Sequence, residues 1–211
     1  MAFTFADRLI VEIDRGVRTL FSPATAARPV PAAAKGSSPS LTDERRAESA
    51  RLMRVNHTGE VCAQALYQGQ AIFSRSPVIH SVLLKAAQEE RDHLAWCEHR
   101  LDQLGASVSV LNPVWYAGSF TLGMLSGLAG DRWSMAFLVE TERQVERHLA
   151  GHLDRIAPED NESRAIIEAM KEDEARHGQL GQAHDAASLP RPVQSAMQLV
   201  SKLMTRTSYW V

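Results

Sequence analysis

Apolar positions recur at steps of three and four residues through most of this chain, the period of a helix with one buried face. Phe5, Leu9, Ile13, Val17, Leu20 and Phe21 follow that spacing and predict a short amphipathic helix over residues 5–21. Four longer helices are predicted from about Thr42 to Ser74, from about Pro77 to Leu104, from near Asp131 to before Pro158, and from about Glu159 to Ala187. Val193, Met197, Val200 and Met204 place a last short helix over residues 192–206. End signals agree with these spans. Ser40 followed by Asp43 resembles a capping box, Ser76 can cap the helix that Pro77 opens, Gly105 stops it, and Asp131 is a good N-cap for the next. Runs of alternating β-branched residues bounded by turns are missing, so the expected class is all-α.

Residues 22–40 break the pattern with Pro23, Pro29, Pro31 and Pro39 among Ala, Ser and Gly, which reads as a mobile linker. The chain divides on this reading into residues 1–40, an amphipathic segment with its linker, and residues 41–211, a helical domain. Within that domain the first and second long helices are joined closely, as are the third and fourth, so each pair is an antiparallel hairpin. The connection between the hairpins, about Gly105 to Gly130, is long. Two helical hairpins joined by one long crossover is the wiring of a ferritin-like four-helix bundle.

Some polar residues interrupt the apolar stripes. Glu90-Arg91-Asp92-His93 and Glu174-Ala175-Arg176-His177 each carry a Glu and a His three residues apart, on one helix face. Glu90 and His93 share a stripe with Leu83, Ala86, Leu94, Cys97, Leu101 and Leu104, whereas Glu89 falls with Lys85 and Asp92 on what reads as a solvated face. Glu174 and His177 share one with Ile167, Met170, Leu180 and His184. Glu172 falls off that stripe, and Asp173 lies nearer its edge as a second choice. Glu142 lies with Leu138, Val145, Leu149 and Ile156, and Glu140 on another face. Glu60 lies with Met53, Ala63, Tyr67 and Ala71.

Four ionised Glu in one dry core need compensating charge. Two divalent cations supply it, with neutral imidazoles completing the set. The expected metal ligands are therefore Glu60, Glu90, His93, Glu142, Glu174 and His177, the arrangement of a dinuclear carboxylate site. A donor set rich in carboxylate suits iron or manganese better than zinc. The bland alternative is exposed helix charges forming i,i+4 pairs; two in-register copies plus two in-stripe Glu in this order favour the site. His57, His148, His184, Cys97 and Tyr67 lie near enough in register to support the site or simply to pack.

The formal charge of −2 over 211 residues offers nothing to nucleic acid. Two cysteines, Cys62 and Cys97, make neither a disulfide framework nor a thiolate metal site, so a reducing compartment is expected. Asp7, Glu12 and Asp14 interrupt the first apolar stretch, so no secretory leader is expected. No stretch is a clean transmembrane span. From Gln103 to Gly130 no side chain is formally charged, and Val110, Val114, Trp115, Tyr116, Phe120, Leu122, Leu125 and Leu128 crowd that connector. An apolar, aromatic-rich connector suits a membrane interface or the mouth of an apolar pocket, against the plainer reading of a buried loop or dimer contact.

The residues around the ligands carry a resemblance. Asn56-His57-Thr58-Gly59-Glu60-Val61-Cys62-Ala63-Gln64-Ala65-Leu66-Tyr67-Gln68-Gly69-Gln70 closely resembles the first metal-ligand helix of the demethoxyubiquinone hydroxylase family. Glu89 to Leu94 resembles its second helix, Ser109 to Pro113 the start of its crossover, and Glu172 to His177 its fourth. The likeness covers about residues 45–206, with bacterial-type features; around Glu142 it is least exact. It implies two iron ions per chain held by the six residues above; Glu90 and Glu174, from the paired motifs, are favoured as the bridging carboxylates, although the sequence itself leaves the bridging pair open. It implies O2-dependent hydroxylation of a polyprenylated methoxy-benzoquinol in ubiquinone biosynthesis, with no catalytic residue beyond the ligands. It further implies peripheral attachment to the cytoplasmic side of the cell membrane, and contact with other copies or with other ubiquinone-biosynthesis proteins. Rival readings are a ferritin-like ferroxidase or iron store, a rubrerythrin-type peroxidase (for which two isolated Cys cannot build the usual extra iron domain), and a non-catalytic, metal-bound membrane scaffold.

Overall fold

A computed structural model describes residues 5–32 and 40–211 and shows seven helices among them: α1 Phe5–Phe21, α2 Asp43–Phe73, α3 Pro77–Leu104, α4 Asn112–Ala129, α5 Asp131–Arg155, α6 Asn161–Ala183 and α7 Arg191–Ser208. No strand occurs among the described residues. The all-α class and the ferritin-like bundle hold. α2 and α3 form one hairpin, α5 and α6 the other, and α2 packs on α5 while α3 packs on α6.

Several end signals act differently from their sequence reading. α2 is capped by Thr42, whose Oγ1 accepts from the Arg45 N–H, and not by Ser40. Asp131 is the first residue of α5, behind Gly130 at φ 110°, and its carboxylate serves the other hairpin. It accepts from the Ser76 N–H at 2.8 Å, and from the Arg75 N–H and the Ser74 hydroxyl at 3.1 Å. One carboxylate thus ties the α2–α3 turn to the start of α5. At the opposite end Asp160 caps α6, accepting from the Ser163 N–H and from Arg100 of α3, while Ser49 of α2 donates to it. These two knots set the directions: α5 runs back along α2, and α6 along α3.

The crossover is not an open loop. Residues 112–129 form α4, opened by Pro113 and laid along the outer face of α2. Its glycines make this possible: a Cβ on Gly123 would collide with the Leu66 backbone, and one on Gly69 with the Phe120 backbone. Two helices meet backbone to backbone there, as small residues permit. α2 is consequently buried nearly all round, from Leu52 to Ile72, with the bundle on one side and α4 on the other.

Among the described side chains of α1, polar and small groups turn inward beside Leu20, which packs on the cluster around Tyr116. Glu12 and Gly16 are buried, Gly16 against Tyr116, and Thr19 donates to Gln64 at 2.5 Å, while Ile10, Ile13, Val17 and Phe21 are exposed. The first part of the proline-rich connector is not the loose chain its composition suggested. The Ala24 N–H donates to Glu98 and the Ala27 N–H to Asp92, both on α3. Residues 33–39 lie outside the described residues.

Candidate metal centre

Helical periodicity delivers six polar side chains to one level of the bundle core. Glu60 comes from α2, Glu90 and His93 from α3, Glu142 from α5, Glu174 and His177 from α6, and all six are at most 3% exposed. They form two groups of ligand atoms close enough to hold a cation each: Glu60, Glu90, His93 and Glu174, and Glu90, Glu142, Glu174 and His177. Glu90 and Glu174 belong to both.

The distances show how they are shared. His93 Nδ1 lies 3.0 Å from Glu90 Oε2, 3.2 Å from Glu174 Oε1 and 3.4 Å from Glu60 Oε2. His177 Nδ1 lies 3.3 Å from Glu174 Oε2, 3.4 Å from Glu90 Oε1 and 3.5 Å from Glu142 Oε1. Each paired Glu thus offers one oxygen to either side. Both imidazoles point Nδ1 at the cluster and Nε2 away from it. His93 Nε2 lies 3.0 Å from Asp173, and His177 Nε2 2.8 Å from Glu89. A carboxylate behind a ligating imidazole fixes its tautomer and orientation.

Electrostatics point to cations. Burial pushes Glu60 and Glu142 above the carboxylate range, with Glu90 adding to the rise at Glu60 and Glu174 to that at Glu142. Burial also opposes charge on Glu90 and Glu174, but the two histidines outweigh it and hold both below that range. Burial disfavours the imidazolium form, yet the surrounding carboxylates raise His93 and His177 well above an ordinary imidazole. Protons thus stand in for the positive charge this cluster requires. Several buried atoms still lack a hydrogen-bond partner: Glu90 Oε1, Glu142 Oε2, both oxygens of Glu174, and His177 Nδ1. Buried polar atoms are rarely left so. Ligation is the use that fits a convergent set of them, so the buried Glu and His groups can bind metal.

The supporting residues divide into those legible in the sequence and those that were not. Tyr67 does donate to a site group, its hydroxyl to Glu142 Oε1. Asp173 sits behind His93, outside the cluster. Glu89, read as solvated, instead faces α6 and accepts from His177, because its helix edge lies in the α3–α6 seam. Leu180 was placed on the buried stripe but is 43% exposed; Gly181 takes the inner position, close against Leu138 and Val139. His184 ends α6 as its C-cap. His57 lies beside Glu98 and Asn112, and His148 beside His152. Cys97 packs against Met170. Glu140 lies on its own face with Arg143.

Arg28 gave no periodic signal at all. Its Nη1 donates to Asp173 at 2.7 Å and its Nε to Asp92 at 2.7 Å, with the guanidinium 4.7 Å above the Trp96 ring. Arg176 holds the other oxygen of Asp173 at 2.6 Å. The connector therefore reaches the ligand sphere through one salt-bridged carboxylate.

Fold and site together define a class: a ferritin-like helical bundle enclosing a buried carboxylate–imidazole centre that can take metal. Comparison with known proteins narrows it. The family model described as "Ubiquinone biosynthesis protein COQ7" matches residues 47–208, and the chain belongs to that family. It is 52% identical to a 3-demethoxyubiquinol 3-hydroxylase of Nitrosomonas europaea over 97% of this chain and 98% of that one. It is 50% identical to the protein of the same name in Nitrosospira multiformis, over 97% and 98%, and 51% identical to that in Bordetella petrii, over 97% and 91%.

Proposed function

We propose that this chain hydroxylates a polyprenylated demethoxyubiquinol with O2, as a di-iron monooxygenase of ubiquinone biosynthesis. The observation that carries the reading is the pair of interlocked ligand groups sharing Glu90 and Glu174, in a chain about half identical to hydroxylases of that name. Glu60, Glu90, His93 and Glu174 would hold one ion, and Glu90, Glu142, Glu174 and His177 the other. Two iron ions, when bound, supply the redox chemistry that activates O2. Hydroxylation places one oxygen atom on the ring and the other in water, and takes two electrons and two protons from an external donor.

The chain's own residues prepare that step. Burial keeps bulk water from the cluster. Asp173 and Glu89 orient the imidazoles, and the Tyr67 hydroxyl holds Glu142. A cavity of about 260 Å³ lies between α2, α4, α5 and α7, lined by Leu66, Trp115, Phe137, Val145 and Met197 among others. It runs past Ala63 of α2, one turn from Glu60, and Thr141 of α5, next to Glu142. Such an apolar cavity suits a quinol ring with an isoprenoid tail.

No described helix is long and apolar enough to cross a membrane. Apolar side chains are nevertheless exposed on α1 at Ile13 and Phe21, on α4 at Val114 and Leu125, and on α7 at Leu199 and Leu203. These three helices lie on the α2 side of the bundle, and α4 and α7 flank the apolar cavity. Outward apolar faces beside that cavity support peripheral attachment to the membrane in which a polyprenyl substrate resides, and we place it on the cytoplasmic side.

The test is anaerobic Fe(II) loading followed by ¹⁸O₂ and a demethoxyubiquinol analogue. About two irons per chain and one labelled oxygen on the ring are expected, with both lost in Glu90→Ala and His177→Ala. Iron oxidation without ring labelling would favour ferroxidase chemistry instead.

A further inference from the structure

A second cavity, of about 520 Å³, opens between the C-terminal half of α5 and the end of α7. Arg147, His148, His152, Arg155, Arg206 and Trp210 line it, and none of its lining residues is acidic. Arg155 is held by Glu48, but Arg206 has no ion-pair partner among the described residues. His148 Nε2 is buried without a hydrogen-bond partner. Burial and Arg155 hold His148 down at about 4, and burial and His148 hold His152 down at about 2, so both imidazoles are neutral at physiological pH. Arginines with a neutral imidazole N–H match a phosphate oxyanion.

The setting bears on which phosphate-bearing molecule would fit. Leu199, Leu203 and Arg206 follow one another at helical spacing on the exposed side of α7, and Trp210 is exposed just past its end, so the cavity opens beside an apolar stripe. Arg51 stacks on Trp210 and on Tyr209, which anchors the end of α7 by donating to Glu48. A basic cavity next to a surface apolar stripe complements a lipid: an anionic head with its acyl chains alongside. A free phosphate compound shares the head chemistry but would have no use for the stripe.

We propose that the α5–α7 cavity is a binding site for the phosphate headgroup of an anionic phospholipid, which positions α7 and the apolar cavity beside it on the bilayer. The site is separate from the metal cluster. It rests on the reading that the enzyme works at a lipid surface, and the experiment separates the two.

Vesicle co-sedimentation tests it with the full iron-loaded chain on phosphatidylcholine alone and on phosphatidylcholine with phosphatidylglycerol. Gly151 lines the cavity, and a Cβ there meets nothing within 4 Å, so substitution leaves the fold intact. Wild type is expected to bind the phosphatidylglycerol vesicles roughly tenfold or more tightly. Gly151→Glu and the pair Arg147→Gln with Arg206→Gln are expected to remove that preference, while Gly151→Gln largely keeps it. Leu199→Ser with Leu203→Ser is expected to weaken binding to both vesicle types alike. Equal binding of wild type to both vesicles would overturn the headgroup site and leave the surface reading standing; binding to neither would overturn both. A preference that survives Gly151→Glu and the arginine pair would place the anionic contact elsewhere. Saturation by glycerol phosphate as tight as by the vesicles, seen as a thermal shift that Gly151→Glu abolishes, would make the ligand a soluble phosphate and overturn the lipid assignment.

Discussion

His93 and Asp173 face each other across the α3–α6 seam, with Nε2 3.0 Å from Oδ2, while Nδ1 of the same ring faces the carboxylate cluster. Asp173 in turn is gripped by Arg28 and Arg176. The orientation of one candidate ligand therefore depends on a residue far from it in sequence and outside the bundle. The His177 counterpart, Glu89, is more exposed, at 23%, and lies 3.8 Å from Arg176. The two halves of the cluster are supported unequally, the His93 half more rigidly.

Asp173→Asn keeps the shape but removes the charge behind His93. Metal affinity is expected to fall roughly 10–100-fold, as when such supporting carboxylates are removed elsewhere, with helical content unchanged. Competition with a chelator measures it, and an unaltered affinity would mean that His93 needs no orienting partner.

Arg28→Ala releases the connector from Asp92 and Asp173. Arg28 is 37% exposed, so solvent screens the pairs, and a stability loss near 1 kcal/mol is expected. Iron should also leave the protein faster than from wild type in stopped-flow chelation. A variant with wild-type release rates would show that the connector only decorates the bundle.

Tyr67→Phe deletes the hydroxyl that donates to Glu142. One hydrogen bond to an ionised group, as Glu142 would be when it ligates a cation, is worth about 1.5–3 kcal/mol, so turnover is expected to drop roughly tenfold or more while iron content stays near two per chain. Unchanged turnover would reduce Tyr67 to a core filler.

Gly123→Ala forces a methyl into the Leu66 backbone. Overpacking of this kind costs about 1–3 kcal/mol, and a lower melting temperature is expected. Gly118→Ala on the same helix meets no atom within 4 Å and serves as the control. Equal melting temperatures for the two variants would contradict the close α2–α4 approach.

Stability should weaken on acidification through the α5 histidines. Unfolded histidine protonates near pH 6.5, whereas His148 stays neutral in the fold down to about 4 and His152 to about 2. Below 6.5 the unfolded chain binds the extra protons, so this contribution is complete above that pH and is lost as pH falls towards 4. His148 accounts for roughly 2–3 kcal/mol of that loss. Urea unfolding at pH 7.5 and 5.0 should show a smaller loss in His148→Gln than in wild type; identical losses would remove the histidine from the account.

The six candidate ligands were legible because helical period is local. A Glu on the apolar stripe of its own helix must enter the core if that helix packs at all, and Glu60, Glu90, Glu142 and Glu174 did so at 1% exposure or less. Glu89 and Leu180 were misplaced because each lies at the edge of a stripe, where the neighbouring helix decides the side. The α4 helix was hidden by its glycines, which lower helix propensity in isolation but become the contact surface once α2 lies against them.

Heptad-scale spacing, two Glu-x-x-His pairs and the turn residues determined by themselves an all-α bundle of two hairpins and the set of residues its core would bring together, since burial of a periodic stripe needs only local geometry. The tertiary structure alone decided which oxygen faces which imidazole, which carboxylate stands behind each histidine, and that Arg28 closes the network. Those are distances between residues as far apart as Arg28 and Asp173, and nothing in a chain's period specifies them until the helices have packed.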